Sequence, residues 1–163
     1  MEEVTMLLDQ SFLSNNMEDR VRIIDLPKIL DKRGNLSIIE ELRHIPFKIA
    51  RTYWIYDVPG GERRGGHAYK ENEEFIVALS GSFDVVIDTG KVRTTYAFNR
   101  SYYGLYVPKG LWREMNNFST NSLALVLAST PYDAEDYIYD YQEFLRIMNP
   151  WYPCLLYTSD AAD

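Results

Sequence analysis

From Val21 to Ser129 the chain is a succession of short apolar runs, each five to nine residues long and broken by residues that favour tight turns. The runs are Val21–Asp25, Leu36–Glu40, Ile49–Asp57, Phe75–Leu79, Phe83–Ile87, Val92–Phe98, Tyr103–Val107 and Leu123–Ser129. They are too short for core helices and rich in β-branched and aromatic residues, so they predict strands. Between them stand Arg33-Gly34-Asn35, Pro59-Gly60-Gly61, Ser80-Gly81-Ser82, Asp88-Thr89-Gly90 and Pro108-Lys109-Gly110, residues that accept positive φ or pre-set a turn. Phe83–Asp88, Thr89-Gly90 and Val92–Tyr96 read as a hairpin. Many short strands with such turns suggest a sandwich or barrel. Only Asp133–Met148 has a helical period, with Tyr137, Ile138, Tyr141, Phe144, Leu145 and Met148 three or four residues apart. It predicts one closing helix with Asp133 as N-cap.

At 163 residues one domain is expected. Residues 1–20 read as an arm or short lead-in helix, 21–149 as the domain, and 150–163 as a tail that resembles translated adapter sequence rather than native protein. The tail contains Cys154, the single cysteine, so no disulfide framework or thiolate zinc site is expected. No apolar run approaches the ~20 residues of a membrane helix, and the acidic start is unlike a signal peptide. A cytoplasmic protein with no membrane partner is expected. The formal charge of −7 argues against a nucleic-acid partner, which needs a basic face to displace counterions. A local arginine group could still hold a diphosphate, and Arg51, Arg63, Arg64 and Arg113 are the candidates.

The chemistry concentrates in Gly61-Glu62-Arg63-Arg64-Gly65-Gly66-His67-Ala68-Tyr69 and the Glu74 that follows. The spacing Gly, five residues, His-x-Tyr, four residues, Glu, six residues, Gly resembles the first cupin motif, with Tyr69 where that motif has its second histidine. Pro108-x-Gly110-x-x-Arg113-x-x-x-Asn117 resembles the second motif, with Arg113 in place of histidine. The resemblance implies an all-β, RmlC-like jelly-roll barrel with one C-terminal helix. A cupin metal needs the histidines, and of that set only His67 and Glu74 remain. Arginine stays protonated and cannot ligate, so no metal is expected. Arg113 is read either as an ion-pair partner of Glu74 or Glu114, or as a ligand contact.

What remains is acid/base work, for which a histidine is suited near neutral pH. His67 is the candidate base. Tyr53, Tyr69, Tyr102, Tyr103 and Tyr106 offer hydroxyls, and Arg33, Arg51 and Arg64 could stabilise an enediolate or clamp phosphates. Against these stand plainer readings: a structural His67, tyrosines that only pack, Arg63 or Arg64 in a solvated turn, and His44 as an exposed loop residue.

A closer resemblance rests on Arg33-Gly34-Asn35-Leu36, Arg51-x-Tyr53, Arg64-Gly65-x-His67-Ala68, Tyr103-Gly104-Leu105-Tyr106-Val107, Trp112-x-Glu114 and Tyr132-Asp133-x-x-Asp136-Tyr137-Ile138. These resemble the dTDP-4-keto-6-deoxyglucose 3,4-ketoisomerases, the WxcM-like cupins, over roughly Val21 to Ile147. The resemblance implies a cofactor-free isomerase of bacterial surface-glycan synthesis, a homodimer with exchanged N-terminal strands, acting on a dTDP-linked keto-deoxysugar. It implies His67 as base with Tyr53, Arg33 and Tyr69 as catalytic partners, and Arg51, Arg64, Arg113 and Tyr106 as substrate contacts. A keto-sugar epimerase and a non-catalytic sugar-nucleotide-binding cupin are the alternatives.

Overall fold

The computed structural model of the protein describes residues 21–148. The expected arm over residues 1–20 and tail over residues 150–163, with Cys154, lie outside the described residues. Among the described residues twelve strands and one α-helix follow in order: β1 Arg22–Asp25, β2 Lys28–Ile29, β3 Leu36–Ser37, β4 Arg51–Tyr56, β5 Arg64–Tyr69, β6 Glu74–Ser80, β7 Phe83–Asp88, β8 Arg93–Phe98, β9 Tyr103–Val107, β10 Trp112–Asn116, β11 Leu123–Ala128, β12 Tyr137–Ile138 and helix α1 Tyr141–Met148. Two five-stranded sheets carry the body, ordered β1-β9-β6-β11-β4 and β12-β5-β10-β7-β8, and β2 pairs only with β3. From β4 to β12 almost every connection crosses from one sheet to the other. That is the wiring of a jelly roll, the all-β fold with one C-terminal helix that the two motifs predict.

The alternation of side chains along each strand sorts the core into layers. Between the sheets lie Ile55, Ile76, Ala78, Phe83, Val85, Ile87, Leu105, Val107, Met115, Ala124 and Val126. Phe75, Val77, Tyr106 and Leu127 point the other way, onto Leu26, Ile45 and Phe47 of the segment that covers the first sheet from outside. On the outer face of the second sheet, Ala68, Trp112 and Ile138 pack against Phe144 and Leu145 of α1. Among the described residues no helix is long and apolar enough to cross a membrane.

The closing helix is shorter than its period predicts. Asp133 caps only a 3₁₀ turn, Ala134–Asp136, accepting from the Glu135 N–H. Asp136 is turned inward, its carboxylate accepting the backbone N–H groups of Glu71 at 2.7 Å and Asn72 at 3.1 Å. This draws Tyr137 and Ile138 onto β5 as a strand, opposite Tyr69 and Ala68. The helix starts only after Asp140, whose side chain accepts from the Gln142 N–H at 2.9 Å. Strands β5 and β10 escaped the apolar pattern because their inward positions carry His67, Tyr69 and Arg113 instead of aliphatic residues.

One buried carboxylate ties α1 to the second sheet. Asp88 is 4% exposed and accepts from the Tyr141 hydroxyl at 2.7 Å, from Arg93 at 3.2 Å and from the Gly90 N–H at 2.7 Å. Tyr141→Phe is expected to cost about 1–3 kcal/mol, the scale of a hydrogen bond to a charged group. Thermal melting would read this as a drop of several degrees, with turnover unchanged.

Candidate active site

At one end of the space between the sheets the apolar filling stops and a cavity of about 530 Å³ opens. Arg51 and Tyr53 reach it from β4, Arg64, His67 and Tyr69 from β5, and Arg113 from β10. Tyr132, Tyr137 and Tyr139 close a further side. The register explains the convergence. Arg113 stands opposite His67 across β10 and β5, while Arg51 and Glu74 both stand opposite Ala128, one on each flank of β11.

His67 is 8% exposed, and its Nδ1 lies 2.8 Å from the Gly65 carbonyl oxygen. A carbonyl only accepts, so Nδ1 must carry the proton and Nε2 must hold the lone pair. That Nε2 is buried and has no hydrogen-bond partner. A buried polar atom left without a partner is costly, and here it is a base on the wall of a cavity.

Burial first, and then the charge of Arg113, push the imidazole down to about 4, against a smaller upward pull from Glu74. The base is therefore neutral across the physiological range. The groups facing it are Arg113, Arg51, Glu74, Tyr69, Tyr137 and Tyr139. Because its folded value is depressed, the competent form survives as pH falls through 6.5 and is lost only through about 4. The acid limb of kcat/KM, which reports the free enzyme, is expected below pH 5. A limb centred at 6.5 would contradict this placement.

Beside the imidazole lies a buried ion pair. Arg113 is 2% exposed and Glu74 1%. Arg113 donates from Nε at 2.9 Å and also from Nη2 to the same Glu74 oxygen, and from Nη2 to the Tyr53 hydroxyl at 2.8 Å. Tyr53 in turn donates to the other Glu74 oxygen. Burial opposes the charge on Glu74, but Arg113 and the Tyr53 hydroxyl outweigh it and hold the carboxyl below its usual range. Burial, with Glu74 close by, raises the phenol of Tyr53. That of Tyr69 is raised by burial and by Glu74. Both stay protonated at neutral pH.

This donor set does not fit the metal that cupin mouths commonly hold. Both Glu74 oxygens are occupied by Arg113 and Tyr53, and a fixed guanidinium stands where the motif would supply an imidazole. Gly65 makes room for it: its φ is +91° and a Cβ there would come 2.5 Å from Arg113 Nη1. Among the described residues no group of three or more His, Cys, Asp or Glu is placed to hold a metal.

Of the residues singled out from the sequence, His67, Tyr53, Tyr69, Arg51, Arg64 and Arg113 share this cavity. Tyr106 does not. On β9 it alternates with the inward Leu105 and Val107 and so points to the outer face, where it donates to Glu73 and packs near Phe47. Arg33 is also off the wall of this chain. It sits between β2 and β3, its side chain 90% exposed and paired with Asp31 at 2.9 Å. The ion-pair partner of Arg113 is Glu74, not Glu114, which pairs with Arg93 at 2.6 Å. His44 is half-buried and accepts the Glu40 N–H at 2.8 Å. Sequence reasoning passed over Tyr132, Tyr137 and Tyr139. The i, i+2 spacing of Tyr137 and Tyr139 was the available signal, masked by the helical period around it.

Comparison with known proteins gives concordant results. The model of the family described as FdtA: WxcM-like, C-terminal, matches residues 19–149. The chain is 43% identical over 125 residues to the TDP-4-oxo-6-deoxy-alpha-D-glucose-3,4-oxoisomerase of Aneurinibacillus thermoaerophilus, covering 77% of this chain and 90% of that protein. It is similar to a 3,4-ketoisomerase from Helicobacter canadensis, with 42% identity, TM-score 0.77, and 79% and 97% of the two chains covered. It also resembles QdtA, a sugar 3,4-ketoisomerase from Thermoanaerobacterium thermosaccharolyticum crystallised with TDP, with 34% identity, TM-score 0.78, and 79% and 94% covered.

Proposed function

Because the chain belongs to the FdtA family of WxcM-like proteins, we propose that it is an isomerase moving the carbonyl of a TDP-linked 4-keto-6-deoxyhexose between C4 and C3. The observation that carries this reading is the unpartnered lone pair of His67 Nε2 on the cavity wall. Nε2 takes the C3 proton of the 4-keto sugar, the C4 carbonyl oxygen gathers charge as the enediolate forms, and the same nitrogen returns the proton at C4 while the proton of the C3 hydroxyl passes to O4 and the O3 pair closes the new carbonyl. The reaction is redox-neutral within the sugar, so it calls for no external oxidant. Arg113, fixed by Glu74, and Arg51 supply positive charge near the developing oxyanion. Arg51 Nε is itself buried without a partner. Arg64, exposed at the cavity edge, suits the diphosphate.

Proton NMR of TDP-4-keto-6-deoxyglucose in D2O with the purified protein tests the assignment. The expected result is loss of the C3 proton signal and growth of a 3-keto product. Exchange at C3 or C5 with the carbonyl still at C4 would make the protein an epimerase. Tight binding without exchange would make it a binding module.

The functional unit proposed is one domain over residues 21–149, working as a homodimer. Ile23, Ile29, Leu30, Leu36, Trp54 and Tyr56 are large apolar residues left exposed, and the β2–β3 ribbon pairs with no other strand. Covering them with a second copy removes that surface from water. Exchange of the ribbon is also the arrangement that would bring Arg33 to a cavity. Sedimentation is expected to give twice the 19.0 kDa chain mass, and a monomer would overturn this part.

A further inference from the structure

Only two residues of pairing fasten β12 to β5: Tyr137 stands opposite Tyr69 and Ile138 opposite Ala68. Side chains alternate across a strand, so Ile138 turns to the outer face with Phe144 and Leu145, while Tyr137 and Tyr139 turn to the face that carries His67. Their rings lie 5.1 and 5.9 Å from the imidazole and stack on each other at 5.2 Å. Both stand on the cavity wall. A ladder this short is a weak fastening for such a cover.

The fastening comes from Asp136, the residue just before β12, which is 9% exposed and is not on the cavity wall. One carboxylate oxygen accepts the Glu71 N–H at 2.7 Å and the other the Asn72 N–H at 3.1 Å, and its backbone carbonyl accepts the Lys70 N–H at 3.0 Å. Three consecutive amides of the turn after β5 thus converge on one residue. The same turn holds the approach to Tyr132, since Asn72 Oδ1 accepts both the backbone N–H and the hydroxyl of Thr130 at 3.1 Å.

We infer that Asp136 is a positioning residue for the base: by clamping the start of β12 to the turn after β5, it holds Tyr137 and Tyr139 over His67 and keeps water from the imidazole. As a statement about catalysis the inference rests on the isomerase reading, and it adds a carboxylate outside the cavity that governs the base within it. Burial is the largest cause of the depressed His67 value, and the cover supplies part of that burial. The charged and titratable groups around the imidazole are Arg51 on β4, Tyr69 on β5, Glu74 on β6, Arg113 on β10, Tyr137 on β12 and Tyr139 just after it. Only the last two lie on the segment that Asp136 clamps. Releasing the clamp therefore changes solvent access and leaves the charges of Arg51, Glu74 and Arg113 in place.

The test is proton NMR titration of the two histidines, His44 and His67, told apart by the signal missing from His67→Asn. Asp136→Asn keeps the shape but can accept only one of the two side-chain bonds, because its amide nitrogen presents hydrogens to the other N–H. It is expected to move the His67 midpoint from about 4 up towards the ordinary 6.5. The acid limb of kcat/KM should move with it, so that at pH 5 the variant has lost about fivefold of its value at pH 8. Tyr139→Ala removes one ring of the cover, leaves the clamp, and should move the midpoint in the same direction. Ser119→Ala deletes an acceptor elsewhere, the one that receives the Ser82 N–H at 2.8 Å, and should lower stability with the midpoint unmoved. A midpoint unchanged in Asp136→Asn or in Tyr139→Ala, an equal rise in Ser119→Ala, or an Asp136→Asn that does not fold would each overturn the inference. The titration needs no turnover. If the unaltered protein fails to isomerise, the isomerase reading falls, and the titration still decides whether Asp136 governs the imidazole.

Discussion

Replacing His67 with asparagine is expected to lower kcat by about 10²- to 10⁴-fold, the range for loss of a general acid/base group, and to abolish exchange of the C3 proton into D2O. Asparagine can still donate to the Gly65 carbonyl but has no basic nitrogen to offer the cavity. The substitution should leave the fold intact, since His67 makes one hydrogen bond and its other nitrogen has no partner to lose. Its stability signature is distinctive. In the unaltered protein the imidazole is depressed to about 4 in the folded state against about 6.5 unfolded. Between those values the unfolded chain binds a proton that the folded one refuses, so acidification costs stability, by about 3 kcal/mol once pH 4 is reached. The variant lacks this loss. Denaturation at pH 7 and pH 4.5 should show the asparagine variant less acid-sensitive than its parent, and equal sensitivity would contradict the burial described for His67.

Removing Arg113 is expected to have the largest effect on stability. Glu74 is 1% exposed and its compensating charge comes from that guanidinium. Arg113→Ala should cost about 3–5 kcal/mol, because it strands a buried carboxylate rather than merely deleting an attraction. Much of that should return in a double variant, Arg113→Met with Glu74→Leu, where both charges are replaced by apolar groups of similar length. Activity should not return with it, since Tyr53 then loses both its hydrogen-bond partners. Urea titration of the three proteins separates these outcomes. A double variant no more stable than Arg113→Ala would mean that the pair contributes more than charge compensation. Because Glu74 is held below its usual value, its contribution is present above the unfolded carboxyl value and is lost as pH falls through the folded one.

The anatomy of the mouth also explains why an arginine can stand where the second motif ordinarily carries histidine. Gly65 lacks the atom that would collide with Nη1, and Glu74 receives the charge. The mouth of the jelly roll is held by an ion pair where the motifs would place metal ligands.

The sequence by itself determined the strands that carry apolar runs, the hairpin joining Phe83–Asp88 to Arg93–Phe98, and the motif positions of His67, Glu74 and Arg113. The strands and the hairpin depend on local pattern, two-residue alternation and turn residues, and the motif positions on the spacing of residues along the chain. Tertiary structure alone decided which side chains meet. Tyr106 and Tyr69 are both strand tyrosines, yet one turns outward on β9 and the other inward on β5, because a strand has two faces and only sheet packing says which is inside. The segment from Asp133 was read as helix because Tyr137 and Ile138 fit a helical period, but Asp136 finds the backbone donors of Glu71 and Asn72 and holds the chain on β5 as a strand. Those partners lie more than sixty residues away. No local pattern carries that information, because the energy that decides it comes from a buried carboxylate meeting donors that only the folded sheet brings near.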